Sequence, residues 1–204
     1  MFFRPLKLAI LISILTVPVL AQTDAKREAA AKLLDEGKEK FLKLIESVTE
    51  EQWNFRVGTA AHTIGEEAEH ITLSENELPR VIVQALNKAP EPEKAKSLKG
   101  KETKLRAIIF DKEKAPESYR TANKLVTKAE VLELYGQANR KLMKMLRESE
   151  NLDRHVRSHP NLRIQDLTAM QWFYYIAYHR ERHIAQIEVL LAHPDLPGRV
   201  RTAD

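Results

Sequence analysis

The fold of this chain is indicated most clearly by one stretch near its C-terminal end, Trp172-Phe173-Tyr174-Tyr175-Ile176-Ala177-Tyr178-His179-Arg180-Glu181-Arg182-His183-Ile184-Ala185-Gln186-Ile187. Residues at steps of three and four form one helical stripe, which consists of Trp172, Ile176, His179, His183, Ile187 and Leu190. The stripe is apolar apart from its two histidines, and the charged residues lie off it, at Arg180, Glu181 and Arg182. We therefore expect a long helix that turns both imidazoles toward the protein interior.

Three further long helices are predicted from periodicity and capping signals. They cover about residues 24–47, about residues 63–87 and the segment that opens at Thr127, and the helix described above runs from about residue 164 to residue 192. Capping-box patterns begin at Thr49, Thr63 and Thr127. Pro79 is expected to bend or interrupt the second helix, and Pro194 disfavours continuation of the fourth.

A long polar connection, residues 88–126, separates the second and third helices. Within it, residues 104–111 are expected to form a short element that covers the helices, and the many lysines are interpreted as a solvated surface. The chain shows no internal repeat and no alternating pattern typical of β-strands. The predicted fold is all-α, a four-helix bundle with a long crossover between the second and third helices.

Composition limits the chemistry that the chain can perform. Its 204 residues fit one domain, and the absence of cysteine excludes disulfides, thiolate zinc sites and a cysteine nucleophile. A transition metal in this protein must therefore be held by His, Asp or Glu.

The first 21 residues are predicted to be a signal peptide, followed by one domain over residues 22–204. Arg4 and Lys7 precede an apolar run from Leu8 to Leu20, and cleavage is expected after Ala21. This run of about 13 residues is shorter than the roughly 20 that a membrane span needs, although an uncleaved membrane anchor is the alternative. We expect an exported protein, periplasmic or secreted, without a stable membrane anchor after cleavage.

The charge of the predicted mature chain argues against a nucleic-acid partner. Loss of the two cations Arg4 and Lys7 lowers the formal net charge from +4 to +2. A face that binds nucleic acid needs clustered excess Lys and Arg, which a nearly balanced chain does not supply.

Two pairs of histidines have the spacing of four residues that places imidazoles on one helical face. The pair His155 and His159 lies in a polar, cationic context before Pro160, so we interpret it as a surface loop, with a proton-shuttling role left open for His159. The pair His179 and His183 lies on the apolar stripe. Buried side by side, these two need partners for their ring nitrogens, and either a shared metal or bonds to backbone and carboxylate groups would provide them.

Two segments together resemble the DinB-like superfamily. They are Thr63-Ile64-Gly65-Glu66-Glu67-Ala68-Glu69-His70-Ile71 and, far downstream, His179-Arg180-Glu181-Arg182-His183-Ile184-Ala185-Gln186-Ile187. The resemblance extends over essentially the whole mature chain. It implies a four-helix bundle with a divalent metal held by His70, His179 and His183. Members often have an aromatic residue just before the first segment. This chain has His62 at that position instead, and we interpret His62 as a surface residue at the start of the helix.

A three-histidine site leaves coordination positions of the metal open, and these can serve hydrolysis or thiol transfer. The resemblance implies relatives that are hydrolases and relatives that are thiol transferases. Imidazole ligands favour zinc or nickel, with iron and manganese as alternatives. Candidates for positioning or proton transfer are Glu66, Glu67, Glu77 and Gln186, while Tyr175 and Tyr178 are expected to pack beside the site. The substrate is expected to be a small molecule, which a thiol would fit, and the resemblance makes a homodimer plausible. The alternative is a non-catalytic helical bundle that binds metal or a partner.

Overall fold

Long helices make up most of the chain in this computed structural model, which describes residues 17–58, 62–111, 127–159 and 166–198. In chain order the elements are α1 (Val17–Ser47), α2 (Glu50–Trp53), α3 (Ile64–Glu77), α4 (Pro79–Leu86), α5 (Pro92–Ser97), α6 (Glu102–Phe110), α7 (Lys128–Glu148), β1 (Val156–Arg157), β2 (Leu167–Thr168) and α8 (Ala169–Leu191). The all-α prediction is confirmed, since the described strands are limited to two residues each.

The predicted capping boxes are present at the start of α2, α3 and α7. In each, the threonine side chain accepts a hydrogen bond from the backbone of the third helical residue, whose own side chain bonds back to the threonine. A fourth box, formed by Thr168 and Gln171, starts α8. This helix begins later than the predicted residue 164, because Leu167 and Thr168 pair with the antiparallel strand β1 before the helix starts.

Pro79 interrupts the second predicted helix, as expected. α3 ends at Glu77 and α4 begins at Pro79, which occupies the first helical turn, where its missing N–H costs nothing. In the crossover, α6 confirms the predicted short element, whereas α5 was not predicted. Residues 112–126 of the crossover lie outside the described part of the chain.

Helix α8 is the central element. Both α1 and α3 pack against α7 and α8, and α8 also contacts α4, α6 and β2. Its first part, from Ala169 to Ala177, is buried on every side. A helix enclosed in this way buries any polar residue it carries, whichever face that residue occupies.

A polar layer divides the apolar core into two clusters. One cluster contains Leu34, Leu142 and the α8 residues up to Ala177; the other contains Phe41, Tyr135 and Ile184. The layer between them consists of Glu75 of α3, Asn139 of α7 and Arg180 of α8, and the Arg180 side chain passes close to Gly37 of α1. Two of the predicted histidine ligands, His179 and His183, lie on α8 beside Arg180, next to this layer.

The predicted signal peptide falls mostly outside the described residues. Only residues 17–21 of it are described, and they belong to the start of α1, so the predicted cleavage position lies within a helix here. Among the helices of the described chain, none is both long and apolar enough to cross a lipid bilayer.

Candidate metal centre

The structure brings His70, His179 and His183 together. His70 comes from the middle of α3, and the other two come from successive turns of α8. One ring nitrogen from each lies within 4.8 Å of those of the other two. The ring centroids of His70 and His183 are 4.3 Å apart, and those of His179 and His183 are 4.6 Å apart. His183 is buried and His179 is partly buried, so the inward orientation predicted from the apolar stripe is confirmed for His183 and only in part for His179, and His70 does face the pair.

This cluster fits a divalent metal ion. A tetrahedral zinc ion bound to nitrogens at about 2.0–2.1 Å holds them about 3.3 Å apart, and the three ring nitrogens here lie within 4.8 Å of one another. In the described part of the chain, the group contains three side chains and no fourth His, Asp or Glu. A three-ligand set with no thiolate is typical of an open site rather than of a closed structural zinc site.

Two of the histidines are held in the neutral form that metal binding requires. Burial, together with the charge of His183, lowers the pKa of His70 to about 3. Burial, with His183 and His70 beside it, also lowers the pKa of His179 well below its ordinary value. Their side chains keep a free nitrogen lone pair at neutral pH, so no proton competes there with a metal ion.

Glu67 is the carboxylate that orients the cluster. It is only 4% exposed, and its Oε2 lies 2.8 Å from Nδ1 of His183. Burial alone would raise the pKa of Glu67, but the hydrogen bond and charge of His183, with the charges of His62 and His70, outweigh it and lower the pKa. An ionised carboxylate can only accept, so Nδ1 of His183 donates and its Nε2 is free for a metal. Of the predicted candidates, this one lies at the site.

The other candidates lie elsewhere or have structural roles. Glu66 belongs to the capping box of α3, where it accepts from the Thr63 backbone at 2.7 Å and from Arg56 at 2.6 Å. Glu77 is exposed and pairs with Arg80 at 3.0 Å. Gln186 is exposed.

The interpretation of His62 as a surface residue is incomplete. Its side chain is 35% exposed, but its Nδ1 lies 3.0 Å from Oε1 of Glu67, so it is joined to the cluster through that carboxylate. The sequence contains one signal of this contact. His62 and Glu67 occupy the positions just before the N-cap and four residues after it, and residues at these two positions commonly touch across a capping box.

The second histidine pair lies apart from the cluster, as expected. Nδ1 of His155 lies 3.1 Å from the backbone oxygen of Lys88, and β1 separates His155 from His159. The His159 ring is 6.4 Å from that of Trp172, so it touches α8 two helical turns before His179. Neither residue joins the metal-type group.

Aromatic rings support His179 from the preceding turn. Tyr175 is stacked on His179 with ring centroids 5.9 Å apart, and Trp172 packs edge-on against Tyr175 at 5.2 Å. Tyr175 is buried and thus has the packing role predicted for it, whereas Tyr178 is partly exposed and stands beside Tyr174.

The largest feature that the sequence did not predict is the ion pair next to the cluster. Arg180, which is 1% exposed, donates to both oxygens of Glu75, with the Nη2–Oε2 distance at 2.8 Å. It also donates to the Leu34 backbone oxygen at 2.5 Å and to Asn139 at 3.2 Å. This network fixes the turn of α8 that lies between the two histidine ligands.

The comparison with protein families agrees with the resemblance seen in the sequence. Neither the comparison with curated proteins nor that with solved structures finds a match. The family model of the DinB superfamily matches residues 33–187, a range that includes all three clustered histidines, the crossover and the polar layer. The match extends over well more than half of the sequence, and the chain therefore belongs to the DinB superfamily.

Proposed function

We propose that this protein is a divalent-metal-dependent enzyme, a hydrolase or a thiol transferase, with His70, His179 and His183 as its metal ligands. The observation that supports this most directly is the convergence of three ring nitrogens within 4.8 Å, with no fourth protein ligand among the described residues. A bound divalent ion would supply Lewis acidity toward a water, a thiol or a carbonyl group.

The protein's own residues prepare this site. Glu67 holds His183 in one tautomer, the Tyr175 ring stacks on His179, and burial keeps His70 neutral. The ion pair of Arg180 with Glu75 holds the helical turn that carries the ligands. Rigid support of this kind keeps the ligands in place while a coordination position stays available to substrate.

Metal binding tests the first part of the proposal. Chelator-treated protein would be titrated with zinc, nickel, manganese and ferrous iron, and the bound metal measured by elemental analysis. We expect about one ion per chain, and at least a hundredfold weaker binding in each of His70→Ala, His179→Ala and His183→Ala. The double variant His155→Ala/His159→Ala, which changes two histidines outside the cluster, is the matched control. Absence of stoichiometric binding to the wild-type chain would refute the proposal.

Access to the metal separates an enzyme from a non-catalytic bundle. In the cobalt-substituted protein, the visible spectrum should change when azide or a small thiol is added, because an exogenous ligand can enter an open site. A spectrum that does not respond to either ligand would show a closed site, and the enzyme proposal would then fail even though metal binds.

We also propose that the chain is exported and cleaved after Ala21. The cationic start and the short apolar run over residues 8–20 support this. N-terminal sequencing of protein from the periplasm or medium would give Gln22 as the first residue. An intact Met1 in the membrane fraction would contradict cleavage.

A further inference from the structure

The Glu67 carboxylate is shared between two histidines. Its Oε2 lies 2.8 Å from Nδ1 of His183, and its Oε1 lies 3.0 Å from Nδ1 of His62. The carboxylate is buried, and no other side chain of the described residues donates to Oε1. Among the described residues, His62 is thus the group whose side chain satisfies the second oxygen of this buried carboxylate.

The fold places His62 there through the capping box of α3. Thr63 is the N-cap, and its side chain accepts from the backbone N–H of Glu66 at 3.0 Å. His62 precedes the cap and Glu67 follows it by four residues. In many helices these two positions hold apolar residues that pack together and fix the path of the chain into the helix. Here a hydrogen-bonded pair, His62 and Glu67, occupies them. The contact at the start of α3 therefore extends to the histidine cluster.

A single donor does not fix a carboxylate completely. With only His183 bound, the Glu67 carboxylate could turn about its terminal torsion, which is broad and has no sharp rotamer. A second donor on the opposite oxygen removes that freedom. The plane of the carboxylate then determines the direction in which Nδ1 of His183 is held, and hence where its Nε2 points.

We infer that His62 is a positioning residue of the three-histidine site, which acts on the ligand His183 through Glu67. This inference rests on the proposed metal site and extends it to a residue that touches no other member of the cluster. It assigns to His62 a role in metal affinity, beyond its place at the start of α3.

Three substitutions at residue 62 separate positioning from packing. His62→Ala removes both the ring and the donor; His62→Phe keeps a ring for packing but removes the donor; His62→Asn keeps an N–H donor near the place of Nδ1. The dissociation constant for zinc would be measured by competition with a chromophoric chelator. We expect about tenfold weaker binding for the alanine and phenylalanine variants, the lower end of the range for partners of metal ligands, and wild-type affinity within about threefold for asparagine.

The same measurement in a Glu67→Gln background tests the route of the effect. If His62 acts through the carboxylate, His62→Ala should cause no further loss of zinc affinity in that background. Circular dichroism establishes that each variant is folded, and the unfolding midpoint measures its stability. His62→Phe is expected to remain folded with a lowered midpoint, because it removes the donor to the buried Oε1 of Glu67.

The results distinguish this inference from the proposed function. Wild-type affinity in both His62→Ala and His62→Phe would overturn the inference and leave the metal site intact. The same holds if His62→Ala causes an equal loss of zinc affinity in the wild-type and the Glu67→Gln backgrounds. Failure of the wild-type chain to bind zinc or any other divalent metal would overturn both.

Discussion

Arg180 and Glu75 form an ion pair in the middle of the helical core, with Nη2 and Oε2 2.8 Å apart and neither side chain accessible to more than a trace of solvent. The pair crosses from α8 to α3, the same two helices that carry the metal-type histidines. It is completed by the Leu34 backbone and by Asn139, so the guanidinium of α8 contacts the other three long helices, α1, α3 and α7. Removal of one charge would leave the other buried and uncompensated.

Arg180→Met is therefore expected to lower the free energy of unfolding by about 3–5 kcal/mol. The double variant Arg180→Met/Glu75→Leu should lose less than Arg180→Met alone, because it leaves no buried charge behind. Urea denaturation monitored by circular dichroism measures both, and Arg140→Met, at an exposed position of α7, should stay within about 0.5 kcal/mol of wild type. A double variant less stable than Arg180→Met would contradict this account.

Much of the candidate site could be predicted because it depends on patterns within short stretches of the sequence. The stripe through His179 and His183 is a property of one helix, and the capping boxes at Thr63 and Thr127 depend on four consecutive residues each. His70 was found through a resemblance over two separated segments, since no spacing within one sequence shows which helices face each other. Its position opposite the pair is confirmed.

The polar layer could not be predicted in the same way. Analysed alone, α8 places Arg180 off its apolar stripe, which suggests exposure to solvent. Its burial results from the packing of α1, α3 and α7 around its side chain, which contacts Leu34, Glu75 and Asn139. One signal was available: residues 169–177 are mostly apolar and aromatic on all sides, which indicates a central helix. The contact of His62 with Glu67 was missed for a similar reason, because it depends on how the chain turns into α3.

Gly65 is required by the close approach of Trp53. A Cβ built on Gly65 would lie 2.5 Å from Nε1 of the Trp53 indole and 2.6 Å from its Cε2, so the ring of a buried tryptophan would have to shift. Gly65→Ala is expected to lower the free energy of unfolding by about 1–3 kcal/mol through this overpacking. Thermal or urea unfolding gives the value.

The matched control for Gly65→Ala is Gly136→Ala in α7. There, an added Cβ would meet only the flexible end of Arg140, at 3.4 Å. Alanine at that helical position should raise the free energy of unfolding by roughly 0.5–1 kcal/mol, because glycine has more freedom to lose on folding. If the two substitutions had the same sign, the contact of Trp53 with Gly65 would not be the cause.

The metal-free protein should become less stable as the pH falls below about 6.5. Burial and the charge of His183 lower the pKa of His70 to about 3, and that of His179 is lowered as well. In the unfolded chain, both histidines take up protons near pH 6.5. Between that pH and the lower folded values, the unfolded state binds more protons, so the stability that is fully present above pH 6.5 is lost on acidification.

Each of these histidines contributes a slope of at most about 1.4 kcal/mol per pH unit in that range. Urea unfolding of chelator-treated protein at pH 7.5 and pH 5.5 should show the loss, and His70→Gln should reduce it, because one titrating group is removed. An unchanged slope in His70→Gln would show that His70 accepts a proton in the folded protein as easily as in the unfolded one.

Metal removal should lower the thermal stability of the chain, because a ligand that binds only the folded state stabilises it. At free zinc 100 times the dissociation constant, the gain is about 2.7 kcal/mol, which corresponds to a rise of roughly 5–10 °C in Tm for a domain of this size. Scanning calorimetry with zinc and after addition of a chelator measures the difference. The rise should disappear in His183→Ala, which breaks the link from α8 to Glu67 of α3, and persist in His159→Ala, whose ring contacts α8 outside the cluster. A rise of equal size in His183→Ala would mean that zinc stabilises the protein from some other position.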